Sequence, residues 1–401
     1  MHIAFLTTEY VTESVFDGGL ANYLYRTALS MSQRGHSIEI FTQSETNETL
    51  VHARIRVHRI KPRTSWTRIV KRILGCSTQT AHALVMGIQF RNCLLKAHAQ
   101  DRFDIAQAAS HRATALGIAH RFPVPVVIRA SSYEPMLYAA ANAQGTSSTR
   151  DQRIMTRLVK YTLLHCAAVY TPSQFLAEGI ESDINRKVHT IPPPFFIETQ
   201  TVDPSICQTN LSEKRYILFF GTLNRLKGGA ILAEAIPQIL EKYRDLHFVF
   251  AGKTGKYDST STMLEYLVSK ANSVAERVIV LGRLPHTQLY PVISNAFCAV
   301  FPSLVDNLPN ALMEAMALGC PVVGSRGTSM DELIEDGVSG LLINPGSVDE
   351  LIQAVDALVK MEKAQRNKLG EAAKWVVNTT LSPEASCSRL ESFLSRVTAN
   401  A

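Results

Sequence analysis

Residues 301–323 read FPSLVDNLPNALMEAMALGCPVV. The stretch opens at the end of an apolar run, CAVFPS (298–303), that suits a buried strand. It then passes through a loop carrying Asp306 and enters a helical pattern near Pro309 that carries Glu314. The next strand, PVVGS (321–325), follows at once. Strand, helix and strand in so few residues are the signature of a parallel α/β sheet.

The same alternation extends in both directions. YILFFGT (216–222), HFVFAG (247–252), VIVLG (278–282) and GLLIN (340–344) are further short apolar runs. Helical patterns lie between them in GGAILAEAIPQILEKY, LYPVISNA and VDELIQAVDALVKMEK. Toward the N-terminus, IAFLT, SIEIFT, RIRVHRI, DIAQAA, PVVIRAS, AAVYTP and KVHTIP read as strands. After IAFLT come Gly18–Gly19, an amphipathic stretch with Leu20, Leu24, Ala28 and Met31, and a stop at Gly35. The expectation is an α/β protein of two doubly wound, Rossmann-like domains facing each other across a cleft. Residues 1–200 form the first, 201–380 the second, and the linker spans about 197–212. SPEASCSRLESFLSRVT (382–398) opens with a helix-capping Ser382–Pro383–Glu384 and predicts a last helix within 381–401.

Composition narrows the class. At 401 residues with 46% hydrophobic residues and a mean hydropathy of +0.02, the chain is too long for one ordinary core and too apolar for disorder. Seven cysteines, odd in number and without a C-x-x-C pair, suggest neither a disulfide framework nor a zinc site, and fit a reducing cytosol. MHIAFLTTEY lacks a basic n-region and a cleavage site and reads as a strand. The stretch without a formal charge at Ile73–Phe90 is too polar for a spanning helix. A cytoplasmic protein, at most peripheral on the inner face of the cytoplasmic membrane, is expected.

A second segment carries chemistry. FFGTLNRLKGGAILAEAI (219–236) is a strand, Gly221, a loop with Arg225 and Lys227, and Gly228–Gly229 opening a helix. Basic side chains beside a glycine-rich helix start make a diphosphate cradle. The P-loop pattern is absent. In 301–323 the backbone N–H groups of Asn310, Ala311 and Leu312 begin a helix between two acids, Asp306 and Glu314. That order suits a ligand with hydroxyls at both ends and phosphates in the middle, the shape of a nucleotide sugar. Each segment alone also fits a blander reading, a strand-to-helix turn with solvated charges.

Together these segments resemble the retaining glycosyltransferases of family 4, which have the GT-B fold. Members read PS-x-x-E-x7-E-A-M-A-x-G-x-P-V-V, and Asp306 and Glu314 take the two acidic places here. G-x-L-x-x-x-K-G at Gly221–Gly228, the Gly18–Gly19 loop and the closing GVSGLLINPGSVDELIQAV complete the likeness over most of the chain. It implies transfer of a sugar from a nucleotide-sugar donor to a hydroxyl acceptor with retention, and a last helix packed on the first domain. Residue by residue it implies that Glu314 binds the donor ribose, while Asp306 and the backbone near Leu308, Pro309 and Asn310 face the donor sugar. Lys227, with Arg225, would neutralise the diphosphate. Gly18 and Gly19 would approach the same phosphates, and Arg283 and Leu284 would border the base. Glu332 falls at the family's acidic position near the second-domain cleft. Three departures are visible: Thr222 where Arg is usual, Asp306 where Glu is usual, and Ser131 or Ser132 where members often carry a His. Arg129, Ser131, Glu134 and His111 are then the polar candidates for acceptor contact, although a surface or capping role also suits His111.

No D-x-D pair or ligand-spaced His/Asp/Glu cluster appears, so no metal and no other cofactor is expected. Thr49–Gln100 holds ten Lys and Arg and no acid. Within it TSWTRIVKRILG (64–75) is a basic amphipathic helix, with Trp66, Ile69, Val70, Ile73 and Leu74 on one stripe and Arg68, Lys71 and Arg72 between. Contact with an anionic membrane or a lipid-linked acceptor is one reading; packing of the stripe on the first sheet is the other. Nucleic acid is not an expected partner, since stacking aromatics are lacking. Two other functions stay open: a non-catalytic GT-B subunit serving a partner enzyme, and a nucleotide-sugar isomerase.

Overall fold

β1 (His2–Thr7) shows why the first half folds as it does. Ile3, Ala4, Phe5 and Leu6 are all buried, which requires cover on both faces of the strand. Ile3 and Phe5 pack with Leu24, Ala28 and Met31 of helix Gly19–Gln33. Ala4 and Leu6 point the other way, into a second cluster with Met86 and Phe90 of helix Thr78–Gln100 and Leu163 of helix Arg150–His165.

The computed structural model describes residues 1–13, 19–143, 149–197 and 202–400. Among the described residues the first sheet contains β1, β2 (Ser37–Gln43), β3 (Glu48–His52), β4 (Ile55–Ile60), β5 (Ile105–Ala109), β6 (Val126–Arg129), β7 (Ala168–Thr171) and β8 (His189–Thr190). Their order is β3-β4-β2-β1-β5-β6-β7-β8, and every pairing is parallel except β3 with β4. β3 escapes the sequence pattern because it is an edge strand, with Val51 turned to solvent.

The second sheet contains β9 (Arg215–Leu223), β10 (Leu246–Thr254), β11 (Val278–Gly282), β12 (Cys298–Phe301), β13 (Val322–Ser325) and β14 (Leu341–Ile343). Its order, β11-β10-β9-β12-β13-β14, is the all-parallel doubly wound arrangement. Strand order reverses between β9 and β12, so the loops leaving these two strands stand where such sheets bind ligands.

The chain divides into two compact units, Met1–Phe195 with Leu381–Ala401, and Phe196–Thr380. Helix Pro383–Ala399, capped by Ser382, buries Leu390, Phe393 and Leu394 among residues of β1 and β7. Burying one such side chain contributes roughly 1.5–3 kcal/mol. Arg34 adds bonds to Glu384 and Glu391 at 2.7–2.9 Å. The stretch expected as a linker contains regular structure. Residues 205–210 form a short helix, and Asp203 bonds to Thr287 and Gln288 of helix His286–Ser294; residues 198–201 lie outside the described residues. No helix among the described residues is long and apolar enough to cross a membrane.

Candidate active site

β9 passes through Gly221 at a positive φ two residues before its end, and the chain then turns through 224–228 into helix Gly229–Lys242. Asn224 Oδ1 accepts the Lys227 N–H at 2.9 Å and holds the turn. Gly228, at φ +79, presses so close to the end of β12 that a Cβ there would lie 2.0 Å from the Pro302 carbonyl oxygen. Leu304 N–H bonds to the Leu226 carbonyl at 2.8 Å and ties the two loops together. Lys227 Nζ thereby reaches Asp306 Oδ2 at 2.5 Å.

Asp306 is fixed from several sides. Ser303 Oγ donates to Oδ2 at 3.0 Å, and Asn307 N–H donates to Oδ1 at 2.9 Å. Ser329 Oγ donates to the Asp306 carbonyl and accepts the Leu308 N–H at 2.6 Å, which steadies Leu308 in its left-handed conformation. The Asp306 side chain is 8% exposed, whereas that of Lys227 is 34% exposed. The ammonium can therefore meet an arriving phosphate while the carboxylate stays anchored.

Glu314 lies in helix Asn310–Ala317 and is buried. His286 Nε2 stands 3.5 Å from Glu314 Oε1, so this acid meets the segment after β11. Arg283 in that segment is exposed and Leu284 half-buried. Pro309 is the N-cap residue, and Asn310, Ala311 and Leu312 form the first turn.

Arg225 reaches the segment after β10. Its Nε donates to the Tyr257 carbonyl at 3.2 Å, and its guanidinium sits 4.3 Å from the Tyr257 ring, which stacks on Tyr266. Lys253 instead lies opposite Thr222 in the β9–β10 register, bringing a positive residue alongside the position where the family carries Arg. Gly18 lies outside the described residues, and Gly19 begins helix Gly19–Gln33. Glu332 is exposed on the turn Ser329–Glu332.

In the other unit, Arg129 at the end of β6 is buried. It bonds to Ser131 Oγ and stacks 3.3 Å from the Tyr23 ring centroid. Tyr23 and Tyr170 hydroxyls are 3.0 Å apart, and Tyr170 donates to Gln107 at 2.6 Å. Burial pushes the Tyr170 phenol well up, so it remains a donor. Glu134 Oε1 accepts the Arg112 N–H at 3.0 Å and lies 3.5 Å from His111 Nδ1. This bond clamps a turn in which Arg112 and Ala113 are both left-handed. Arg129 Nε and Glu134 Oε2 are buried with no hydrogen-bond partner among the described residues. The structure thus pairs His111 with Glu134 and Arg129 with Ser131.

Sequence spacing gives no hint of a cavity of about 560 Å³ at the carboxyl ends of β1, β2 and β4, lined by Glu9, Glu13, Gln43, Ser44, Lys61 and His82 among others. Nor does it show His2, Glu39 and Asp101, which could hold a metal ion. Arg56 and His58 already occupy Glu39 at 2.6 Å each.

Two doubly wound, mostly parallel sheets in one chain, the second with a Lys–Asp pair at its switch point, are the architecture of the GT-B class of α/β proteins. Residues 17–198 match the family description "Glycosyltransferase Family 4" and residues 214–361 match "Glycosyl transferases group 1". The chain belongs to this glycosyltransferase family. It is similar to D-inositol 3-phosphate glycosyltransferase of Corynebacterium diphtheriae, 25% identical over 89% of this chain and 84% of that protein. Two other curated relatives match over only 41% and 36% of their own lengths. Among solved structures, sucrose-phosphate synthase from Thermosynechococcus elongatus superposes with a TM-score of 0.79 at 17% identity, covering 100% of this chain and 99% of the other. Anabaena Alr3699/HepE in complex with UDP and glucose gives 0.72 at 17% identity, covering 99% and 100%. At these identities the likeness is one of fold.

Proposed function

We propose that this glycosyltransferase moves a sugar from a nucleotide-sugar donor to a hydroxyl acceptor with retention of configuration. The observation that carries the reading is the convergence of Lys227, Asp306 and the start of helix Asn310–Ala317 at the β9/β12 switch point, with Glu314 meeting the segment after β11. The nucleoside would lie along Arg283, Leu284 and Glu314, the diphosphate at Lys227, and the sugar against Asp306.

In the transfer, the bond from the anomeric carbon to the diphosphate oxygen breaks and its electron pair stays on that oxygen. The acceptor oxygen bonds to the same face of the carbon, and its proton passes to the departing diphosphate. Lys227 stabilises the negative charge as it develops. Asp306 already shares its carboxylate with an ammonium and a hydroxyl, a donor set suited to side-chain neutralisation of charge without a divalent ion. The similar glycosyltransferase is named for D-inositol 3-phosphate, and the HepE structure is a complex with UDP and glucose; together these fit a hydroxyl acceptor and a nucleotide-sugar donor. Arg129 and Glu134, each with a buried atom that has no partner among the described residues, are the residues proposed to meet the acceptor.

The test is incubation with UDP-, GDP- and ADP-sugars, followed by NMR of the products. Release of one nucleoside diphosphate, slow without acceptor and undiminished by EDTA, with an anomer matching the donor, is the expected result. An inverted product or an isomerised nucleotide sugar would overturn the reading.

A further inference from the structure

Helix Thr64–Leu74 does not pack its apolar stripe on the sheet. Trp66, Ile69, Ile73 and Leu74 are 54%, 48%, 74% and 55% exposed, and Thr67 is the buried residue of the helix. Polar bonds fasten it near its ends. Gln89 accepts the Arg63 N–H at 3.0 Å and donates to the Lys61 carbonyl at 2.9 Å, while Lys71 Nζ bonds to Thr78 Oγ1 at 2.9 Å. A left-handed Gly75 then ends the helix and turns the chain into helix Thr78–Gln100. Exposed apolar residues scattered singly need no explanation, but four within nine residues of one helix do.

Charge selects the occupant. Arg63, Arg68, Lys71 and Arg72 are exposed, no acid occurs between Thr49 and Gln100, and none of the four has an ion pair among the described residues. A second copy seated symmetrically on this face would set the same bases against each other. An anionic bilayer satisfies both halves of the helix: acyl chains take Ile69, Ile73 and Leu74, the headgroup layer takes the Trp66 ring, and lipid phosphates take the bases. We propose that helix Thr64–Leu74 docks this chain on an anionic lipid surface. The binding is independent of the transfer reaction and would bring the enzyme to acceptors held in that surface.

The chain has two tryptophans, Trp66 and Trp375. In full-length Trp375→Phe, Trp66 therefore reports alone. The probe is vesicles of phosphatidylcholine containing about one third phosphatidylglycerol, against phosphatidylcholine alone. Expected are a blue shift of Trp66 emission, quenching by lipids brominated near the headgroup, and sedimentation with the anionic vesicles that fades at high salt. Replacing Arg68, Lys71 and Arg72 with Gln should lower the partition coefficient roughly a hundredfold. Trp66→Gln with Ile73→Gln should lower it independently, and nucleotide-induced stabilisation should persist in both variants. Absence of both emission shift and sedimentation would overturn the proposal. So would sedimentation that the charge variant retains, or concentration-dependent self-association that either variant abolishes.

Discussion

Around Asp306, both carboxylate oxygens and the backbone carbonyl are met by donors drawn from the loop after β9, the loop after β12 and the turn at Ser329. At the end of β6, Arg129 Nε and Glu134 Oε2 are buried without a partner among the described residues, beside two left-handed non-glycine residues. Each unpaired buried polar atom costs on the order of 1–3 kcal/mol. The first region is therefore organised in advance of its ligand, and the second holds hydrogen-bonding capacity that a hydroxyl-bearing ligand or water can satisfy. Preorganised charge serves transition-state stabilisation; unsatisfied capacity serves recognition.

Breaking the organised side should have the largest consequence. Lys227→Ala is expected to lower kcat by about a hundred- to a thousandfold. It should also lower Tm, because it leaves Asp306 without its counter-ion. Adding Asp306→Asn should recover Tm but not turnover, as paired melting and initial-rate measurements would show. Gly228→Ala comes next, since the added Cβ overlaps the Pro302 carbonyl. A destabilisation of roughly 3 kcal/mol, with loss of nucleotide binding, is expected in denaturant melts.

These residues were legible in the sequence because each lies within a few positions of a strand end. Asp306 and Lys227 sit in short loops whose glycines and helix starts mark them. Their pairing was not legible: it depends on β9 and β12 being neighbours, which spacing within either segment does not state. Ser329, His286, Tyr257 and Lys253 come from other elements and carry no local motif, so only the folded register brings them in. The same limit hid the contact of Arg225 with Tyr257. Periodicity revealed the stripe of helix Thr64–Leu74, yet whether anything covers that stripe is a tertiary property, and most of it is exposed.

On the less satisfied side, Glu134→Ala removes the acceptor for the Arg112 N–H. It should destabilise by about 1–2 kcal/mol. Nucleotide affinity should be unaltered, which isothermal titration would check; a fall in nucleotide affinity would break the comparison. The smallest effect concerns the last helix. Arg34 and His36 hold the Glu391 carboxyl down at about 2, below its ordinary 4.5. A carboxyl depressed on folding stabilises the folded state fully above the ordinary value. That contribution drains away as pH falls from 4.5 toward 2. Arg34→Gln should flatten this part of the stability–pH curve, read by chemical denaturation at each pH.

The second sheet's switch point is proposed as a nucleotide site organised around Glu314 and Lys227. Thermal unfolding with UDP, GDP and ADP, for the parent chain and for Glu314→Ala, tests it most directly. A nucleotide at a hundred times its dissociation constant stabilises by about 2.7 kcal/mol. A rise in Tm with one of the three, lost in Glu314→Ala, is expected. No rise with any of them, or a rise that Glu314→Ala keeps in full, would contradict it.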